Sequence, residues 1–285
     1  MMRIYVTGAH GFTGLHLAAH LTACGHEVLP AKANLLDRAG LASEVRALQP
    51  THVVHLAAIA FVAHGDAQQM YLTNLIGTRN LLEALKPVVG LQKVLLASSA
   101  NVYGNSNASP LQEQHPPAPA NDYAVSKVAM EHMARLYVPA LPVVVARPFN
   151  YTGPGQSADF LIPKLVGAFK RQDARLELGN LAVFREFNDV RLTCAAYAML
   201  LAHGEVGTVV NVCSGQAYAL RDVLALLSQL TTHHPAVSVN PAFVRANEVI
   251  RLCGDPSVLH AMADADSVAL PGFTLQDTLR WMLET

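Results

Sequence analysis

The chain has 285 residues, of which 52% are hydrophobic and 14% are charged, and its formal net charge is −1. This length is enough to bury a large core, and this composition is typical of a folded globular protein rather than a disordered chain. A chain without excess positive charge offers little to nucleic acids or anionic membranes, so we expect neither as a partner.

Short apolar strands alternate with longer helical segments through the first half of the chain. The pattern predicts strands at 3–7, 27–29, 51–56, 93–98 and 143–147, and helices at 13–24, 36–48, 67–85 and 122–137. Continuous apolar strands separated by amphipathic helices indicate a parallel sheet that is covered on both faces. The predicted fold is therefore α/β, with the doubly wound parallel sheet of the Rossmann type.

Past residue 150 the alternation is less regular, and loops rich in proline, asparagine and aspartate separate the elements. Helices are predicted at 160–170, 193–201, 220–230 and 275–283, and a strand at 208–212. We expect a smaller, discontinuous C-terminal lobe that binds the substrate. The predicted domains are a Rossmann domain of residues 1–155 plus about 186–213, and a lobe of about 156–185 and 214–285.

The first predicted strand leads into a glycine-rich turn and then into a helix. Three glycines stand at three-residue intervals in Gly8-Ala9-His10-Gly11-Phe12-Thr13-Gly14. Glycine permits a tight turn and a close backbone approach, while the start of the helix presents free N–H groups to a pyrophosphate. In a βαβ pattern this turn predicts a dinucleotide site, with contacts from Gly8, Gly11, Phe12, Thr13 and Gly14.

The end of the second strand bears on which dinucleotide is bound. An acidic residue there usually binds the adenosine ribose of NAD, but residues 29–34 contain no carboxylate and one cation, Lys32. Lys32 can accept a 2′-phosphate, which favours NADP and leaves NAD possible. The alternative, a solvated surface lysine, stays open.

A tyrosine and a lysine stand four residues apart at the start of the helix predicted at 122–137. Tyr123 and Lys127 share one helix face, so both side chains can point into one cleft. A nearby lysine and a cationic nicotinamide favour the phenolate, so we expect the pKa of Tyr123 to fall from about 10. The pair Ser98-Ser99 follows a predicted parallel strand, where ligands bind, and a hydroxyl there can hold a carbonyl oxygen.

Together these motifs resemble the extended short-chain dehydrogenase/reductases over nearly the whole chain. The similar segments are the glycine turn, His55-Leu56-Ala57-Ala58, Ser98-Ser99 with Tyr103-Gly104, and Tyr123 with Lys127. The resemblance implies that Ser99, Tyr123 and Lys127 are catalytic and that the last two also contact the cofactor. It also implies cofactor contacts from Leu56, Ala57 and Ala58, from Asp37 near the adenine, and from Asn74 as a support of the framework.

The second half resembles the nucleotide-sugar enzymes of this family, in their GDP-mannose branch. The similar segments, 147–156, 179–191 and 245–256, together with the serine motif, imply substrate contacts from Ser99, Asn101, Asn150, Asn180, Arg185, Arg245 and Glu248. Guanidinium groups suit such a ligand because their fork matches two phosphate oxygens at once. Asn101 stands where the family's GDP-mannose 4,6-dehydratases keep a glutamate base, and since an amide cannot remove a proton, dehydration is disfavoured.

The resemblance thus implies an NAD(P)H-dependent reductase that delivers hydride to C4 of a nucleotide 4-keto-6-deoxy sugar. The nearest reaction converts GDP-4-keto-6-deoxy-D-mannose to GDP-D-rhamnose or to GDP-6-deoxy-D-talose. Two alternatives stay open: a nucleotide-sugar 4-epimerase that holds NAD tightly, and a non-catalytic protein that senses NADP. Related enzymes dimerise through the helix at 122–137 and its neighbour, which implies a homodimer.

The cysteines do not have the spacing of a metal site, and only one pair of histidines has His-x-x-x-His spacing. The four cysteines are far apart, and no third ligand accompanies His16 and His20 in the sequence. We therefore expect no metal. The N-terminal residues show no apolar signal segment, so we expect a cytoplasmic protein.

Overall fold

A computed structural model describes residues 1–60, 66–106, 108–243 and 249–285. The strands are, in chain order, β1 (Arg3–Thr7), β2 (Glu27–Pro30), β3 (His52–His55), β4 (Lys93–Ala97), β5 (Val143–Pro148), β6 (Tyr151–Thr152), β7 (Arg175–Leu178), β8 (Phe184–Glu186), β9 (Asn188–Asp189), β10 (Val209–Val212), β11 (Ala217–Ala219), β12 (Ala236–Val239) and β13 (Arg251–Leu252). The helices are α1 (Phe12–Ala23), α2 (Arg38–Leu48), α3 (Ala67–Tyr71), α4 (Thr78–Leu85), α5 (Asp122–Arg135), α6 (Leu161–Lys170), α7 (Val190–His203), α8 (Leu220–Thr231), α9 (Ser257–Ala265) and α10 (Leu275–Glu284).

Six of the strands form one parallel sheet in the order β2–β1–β3–β4–β5–β10. The chain passes from β1 to β2 on one side and then places β3 on the other side of β1. This reversal makes the carboxyl ends of β1 and β3 the switch point at which ligands bind in such sheets. The predicted Rossmann-type fold is confirmed.

Both faces of this sheet are buried, which explains why its strands are apolar without alternation. Val6 and Val144 belong to a core shared with α1, α7 and α9, whereas Tyr5 and Val145 belong to a core shared with α2, α4 and α5. Each fully buried valine or leucine side chain contributes about 1.5–3 kcal/mol. The two cores therefore fix the sheet, and the sheet fixes the loops at its carboxyl edge.

The helix predicted at 67–85 is not continuous. A π-helical turn, Leu72–Gly77, joins α3 to α4. Asn74 is buried inside this turn, and its backbone carbonyl accepts a hydrogen bond from the Thr78 hydroxyl at 2.7 Å. Apolar periodicity does not reveal such local bonds, which is why the pattern predicted a single helix.

The second half of the described chain adds three small sheets, β11–β8–β13, β12–β7 and β6–β9. There α6, α8, α10 and β7 share a core that includes Leu165, Val223 and Leu279. Helix α9 differs, because its Leu259 and Ala263 belong to the core under the main sheet although they lie within the lobe predicted at 214–285. The division into domains stays a prediction.

The helices have lengths that are ordinary for a globular protein. Helices α5 and α7 have 14 residues each, whereas a membrane span needs about 20 apolar residues. Within the described ranges, no helix combines the length and apolar character needed to cross a bilayer.

Candidate active site

The predicted cofactor residues meet at the switch point of the sheet. Thr7, at the end of β1, is paired with His55, at the end of β3, and the glycine turn and Leu56 follow these two residues directly. The backbone N–H of Ala57 donates to the Thr7 hydroxyl at 3.2 Å, across 50 residues of sequence. Leu56, Ala57 and Ala58 therefore lie beside the glycine turn.

The geometry of this turn requires glycine at two positions. Gly8 has a φ of +70°, and a Cβ added to it would lie 2.9 Å from the backbone nitrogen of Ala57. A Cβ on Gly14 would lie 2.2 Å from the carbonyl oxygen of Gly8. Gly11 precedes α1 without a side-chain cap, which leaves first-turn N–H groups for an anion. This cradle fits a dinucleotide pyrophosphate.

Phe12 and Thr13, the other two residues predicted from the turn, both contact Tyr151 in β6. The Thr13 hydroxyl lies 2.7 Å from the Tyr151 hydroxyl, and the rings of Phe12 and Tyr151 stack at 6.1 Å. Burial raises the pKa of Tyr151, so its phenol stays protonated. The sequence prediction missed Tyr151, which carries no periodic signal in β6.

The loop after β2 is held by an acid from α2. The Glu44 carboxylate accepts hydrogen bonds from the backbone N–H groups of Lys32 at 2.8 Å and Ala33 at 2.6 Å, and the residue Lys32 is exposed. Asp37 caps α2, because its carboxylate accepts the N–H of Gly40 at 3.0 Å. The predicted cofactor contacts of Lys32 and Asp37 stay predictions. The sequence prediction considered only residues 29–34 and therefore missed Glu44, which reaches this loop from α2.

Asn74 joins the site to α5. Its side-chain oxygen accepts the N–H of Ile59 at 2.8 Å, and its amide nitrogen donates to the Ile59 carbonyl at 3.1 Å and to the Ser126 hydroxyl at 3.0 Å. Asn74 is 1% exposed. The amide thus holds the loop after β3 against the helix that carries Tyr123 and Lys127, and the predicted cofactor contact of Asn74 stays a prediction.

His55 continues this buried network. One ring nitrogen lies 2.7 Å from the Thr7 hydroxyl and the other lies 2.8 Å from the Thr78 hydroxyl. Burial, with a smaller effect of the Lys127 charge, lowers the pKa of His55 to about 3. A neutral imidazole at this position connects β1, β3 and α4 and adds no charge beside Lys127.

The three predicted catalytic residues lie together and are buried. Ser99 follows β4, while Tyr123 and Lys127 lie on the first turns of α5, where the Asn121 side chain caps the helix through the Ala124 N–H. The Lys127 ammonium donates to the Ala97 carbonyl at 2.8 Å and lies 5.9 Å from the centre of the Tyr123 ring. The structure therefore places phenol, ammonium and serine hydroxyl at one junction of β4 and α5.

Burial governs the acid–base properties of this group. It raises the pKa of Tyr123 above its ordinary value, and a hydrogen bond with Ser99 opposes that change. It lowers the pKa of Lys127 to about 8, and the charge of Glu131 opposes that change. The expected fall in the Tyr123 pKa is therefore wrong for the protein's own groups, because desolvation of the phenolate outweighs the stabilising contacts.

Asn101 acts on Ser99 directly. Both its backbone N–H, at 3.2 Å, and its side-chain amide, at 3.0 Å, donate to the Ser99 hydroxyl oxygen. A hydroxyl that accepts two such bonds keeps its own hydrogen for another acceptor. Ser99 is thereby set up as a donor, which suits a hydroxyl that holds a carbonyl oxygen.

Three of the predicted substrate residues lie in or just after strands: Asn150 after β5, Asn180 after β7 and Arg185 in β8. The Asn150 carbonyl accepts the N–H of Asn188 at 2.8 Å, beside β9, and Asn180 follows β7. Arg185, in β8, donates to the Phe184 carbonyl at 2.8 Å. Their contacts with a substrate stay predictions.

Arg245 and Glu248 lie outside the described residues, but the residues that flank them are described. A Cβ on Gly179 would lie 2.8 Å from the carbonyl oxygen of Phe243, and the Arg185 guanidinium donates to the Val249 carbonyl. Phe243 and Val249, the described residues on either side of 244–248, therefore lie against the segments that carry Asn180 and Arg185.

The histidine pair on α1 has other partners. His16 lies 2.9 Å from the Pro154 carbonyl through a ring nitrogen and meets the Trp281 ring edge-on at 5.6 Å. His20 has a long contact of 3.9 Å with the Cys24 sulfur. In the parts of the chain that are described, no three His, Cys, Asp or Glu side chains form a group that could hold a metal ion.

Known proteins are similar to this chain over most of its length. The sequence matches the NAD dependent epimerase/dehydratase family over residues 4–213. It is 35% identical to GDP-6-deoxy-D-talose 4-dehydrogenase of Aggregatibacter actinomycetemcomitans, with 90% of each chain covered. It is 37% identical to GDP-6-deoxy-D-mannose reductase of Pseudomonas aeruginosa, with 99% of this chain and 96% of the relative covered.

A solved structure is similar to the same extent. The structure of RMD from Pseudomonas aeruginosa in complex with NADPH is 36% identical and has a TM-score of 0.90. The match covers 100% of this chain and 98% of that one. The similarity thus includes the second half, which carries the predicted substrate residues, as well as the six-stranded sheet.

Proposed function

The chain belongs to the NAD dependent epimerase/dehydratase family, and from this premise we propose that it is an NADPH-dependent reductase of a GDP-linked 4-keto-6-deoxy sugar. The product would be GDP-D-rhamnose or its C4 epimer, GDP-6-deoxy-D-talose. The observation that carries the proposal is the buried group of Ser99, Tyr123 and Lys127, in which Asn101 supplies an amide to Ser99. The named activities of the two relatives, a reductase and a 4-dehydrogenase of GDP-6-deoxy sugars, support the substrate class.

The side chains of the group can divide the work of carbonyl reduction among them. A bound nicotinamide supplies the hydride. The Tyr123 phenol protonates the oxygen at C4, and its raised pKa keeps it in the protonated form that an acid requires. The Ser99 hydroxyl donates to the same oxygen and stabilises the charge that develops there. Lys127 holds the cofactor ribose and places a positive charge near the phenol.

We propose NADPH rather than NADH as the reductant. The loop after β2 carries the exposed cation Lys32, and the carboxylate held against this loop, that of Glu44, already accepts the backbone N–H groups of Lys32 and Ala33, so the Lys32 ammonium can attract a 2′-phosphate. The bound NADPH of the similar solved structure supports this choice. The residues that would hold the pyrophosphate are those of the glycine turn, because Gly11 leaves the first N–H groups of α1 without a side-chain cap and Gly14 lets the helix pack against the turn.

We place the sugar nucleotide between the sheet edge and the second half of the chain. Asn150, Asn180 and Arg185 would bind its diphosphate and nucleoside, joined by Arg245 and Glu248. The contacts of Phe243 with Gly179 and of Arg185 with Val249 support this grouping. In this proposal residues 156–185 and 214–285 supply most of the substrate-binding lobe.

We also propose a homodimer formed through α5 and its neighbour. Val125 on α5, Leu136 at its end and Ile76 on the adjoining π-helical turn are exposed apolar side chains. A second copy of the chain would bury them, which is favourable for apolar surface. Light scattering at several concentrations tests this, because a monomer at all of them would exclude the dimer.

The reductase and the epimerase alternatives differ in how they use the cofactor. We would denature the purified protein, identify any released nucleotide, and assay turnover of GDP-4-keto-6-deoxymannose with and without added NADPH. A reductase consumes one NADPH for each sugar reduced and is idle without it. Tightly bound NAD, with interconversion of two sugar nucleotides and no added cofactor, would instead identify an epimerase. If the protein bound NADPH but turned over no 4-keto sugar nucleotide, the remaining alternative would be a non-catalytic protein that senses NADP.

A further inference from the structure

A buried ion pair lies directly behind the predicted catalytic group. Glu131 on α5 and Arg147 on β5 each have side chains that are 3% exposed. Their contact is bidentate, with the Arg147 Nη2 at 2.6 Å from Glu131 Oε2 and the Nε at 2.9 Å from Oε1. A fork-to-fork pair of this kind fixes both side chains in one orientation.

The same carboxylate connects the pair to the serine motif. The Ser98 hydroxyl donates to Glu131 at 2.5 Å, and Ser98 is the residue before Ser99. Glu131 also follows Lys127 by four residues on α5, so the two side chains lie on one face of the helix. One carboxylate therefore adjoins the backbone that carries Ser99 and the lysine that adjoins Tyr123.

The arginine is fixed in turn by groups on other elements. Its Nη1 donates to the Tyr103 hydroxyl at 2.9 Å and to the Glu113 carbonyl at 3.0 Å. The Tyr103 hydroxyl donates to the side-chain oxygen of Asn211, on β10, at 2.7 Å. The guanidinium therefore has partners on several sides, and Glu131 cannot shift without moving this network.

We propose that Glu131, clamped by Arg147 and Ser98, is a positioning residue that fixes the backbone of Ser98 and Ser99 and keeps a negative charge beside Lys127. The proposal rests on the reductase function proposed above for the same site. Buried ion pairs add little net stability compared with apolar residues of similar size, so the contribution of this pair is expected to be mainly local. That contribution is the fixed geometry of Ser98–Ser99 and a negative charge beside Lys127.

Among the described residues, the charged and titratable groups around Lys127 are few, so the effect of the Glu131 charge on the pKa of Lys127 can be tested. Tyr123 and Glu131 adjoin it on its own helix, His55 adjoins it from β3, and Arg147 stands behind Glu131 on β5. The phenol is held neutral by burial, and so is the imidazole. Glu131 is thus the group that raises the pKa of Lys127 against the effect of burial.

The test replaces the carboxylate and follows pH. We would make Glu131→Gln, and also Glu131→Gln together with Arg147→Gln, since an unpaired buried Arg147 can prevent folding whereas two amides can bond each other. The matched control is Glu83→Gln on α4, a carboxylate that also bonds a lysine and a phenol. For each protein we would measure the Kd of NADPH and, separately, kcat across the pH range.

Because a deprotonated Lys127 no longer attracts the anionic cofactor, NADPH binding should weaken as pH rises through its pKa of about 8. In Glu131→Gln this weakening should begin about one to two pH units lower, and the kcat profile should move with it. In the double variant the displacement should have the same direction but be smaller, because the more distant positive charge of Arg147 is removed as well. The control should keep the wild-type profile. A uniform loss of binding or rate at every pH, without displacement of the profile, would overturn the proposal.

The binding measurement needs no sugar and therefore separates the two proposals. Suppose that the wild-type protein reduces no 4-keto sugar nucleotide, but that replacing Glu131 displaces the pH dependence of the NADPH Kd. The proposed reaction then fails while the positioning role stands. If the wild-type protein reduces the sugar and the profile is the same in all variants, the positioning role fails and the reaction stands.

Discussion

Replacement of Gly14 by alanine should disrupt the cofactor site at its most crowded point. The added Cβ would lie 2.2 Å from the carbonyl oxygen of Gly8 and 2.6 Å from two backbone atoms of Ala9. These neighbours are backbone atoms rather than flexible side chains, so α1 and the turn must move apart. Overpacking of this kind costs up to about 3 kcal/mol, which lowers the melting temperature of a chain of 285 residues by about 5 °C.

Gly11→Ala is the matched comparison in the same turn. A Cβ at that position would lie 3.3 Å from the Gly8 carbonyl oxygen, which a small shift relieves. We expect its melting temperature to stay within about 2 °C of the wild type, because replacing a glycine cap by alanine costs only about 1 kcal/mol. Its NADPH affinity should still fall at least about ten-fold, since this glycine allows the backbone to approach the pyrophosphate.

The assay combines thermal unfolding with fluorescence titration of NADPH. Gly14→Ala should both melt earlier and lose measurable binding, whereas Gly11→Ala should lose affinity with little change in melting. If Gly14→Ala bound NADPH with the wild-type Kd, the turn would not be the pyrophosphate cradle. The reasoning would also fail if Gly11→Ala were the less stable protein of the two.

Three further substitutions test the roles of single side chains. Tyr123→Phe should lower kcat about 1,000-fold, because it removes the acid, while the Kd of NADPH stays within about two-fold of the wild type. An undiminished kcat would exclude Tyr123 as the acid. Asn101→Asp should lower kcat/KM about 100-fold, because a carboxylate would accept the Ser99 hydrogen that the amide leaves for the substrate. Equal activity of the variant and the wild type would show that the hydrogen bond from the Asn101 amide to Ser99 has no role. Lys32→Ala should weaken NADPH about ten-fold, the effect of one lost charge-assisted hydrogen bond, and leave NADH unaffected; equal losses for both cofactors would remove Lys32 from the 2′-phosphate site.

The sheet and the glycine turn could be predicted because their signals are local in sequence. A continuous apolar strand followed by Gly8, Gly11 and Gly14 leaves few structures other than a strand, a tight turn and a helix. Tyr123 and Lys127 could be placed on one face because they are four residues apart on a helix. The sheet then brings Ser99 to them, as its position after a strand predicted.

The remaining features depend on partners that are distant in sequence. Strands β8, β11 and β13 are two or three residues long and owe their existence to pairing with one another. Glu131 resembles any helical glutamate until β5 brings Arg147 to it. Among the protein's own groups the pKa of Tyr123 rises rather than falls, because the sequence reveals a neighbouring lysine but not how completely the phenol is buried.

The central claim is that hydride passes from NADPH to C4 of a GDP-linked sugar in a site built by Ser99, Tyr123 and Lys127. The most direct test supplies NADPH that carries deuterium at the transferring C4 position, together with GDP-4-keto-6-deoxymannose, and examines the product by NMR. We predict one deuterium at C4 of the sugar for each NADPH oxidised, and its configuration there identifies rhamnose or 6-deoxytalose. A sugar product without deuterium at C4, or one formed with no oxidation of the cofactor, would contradict the claim.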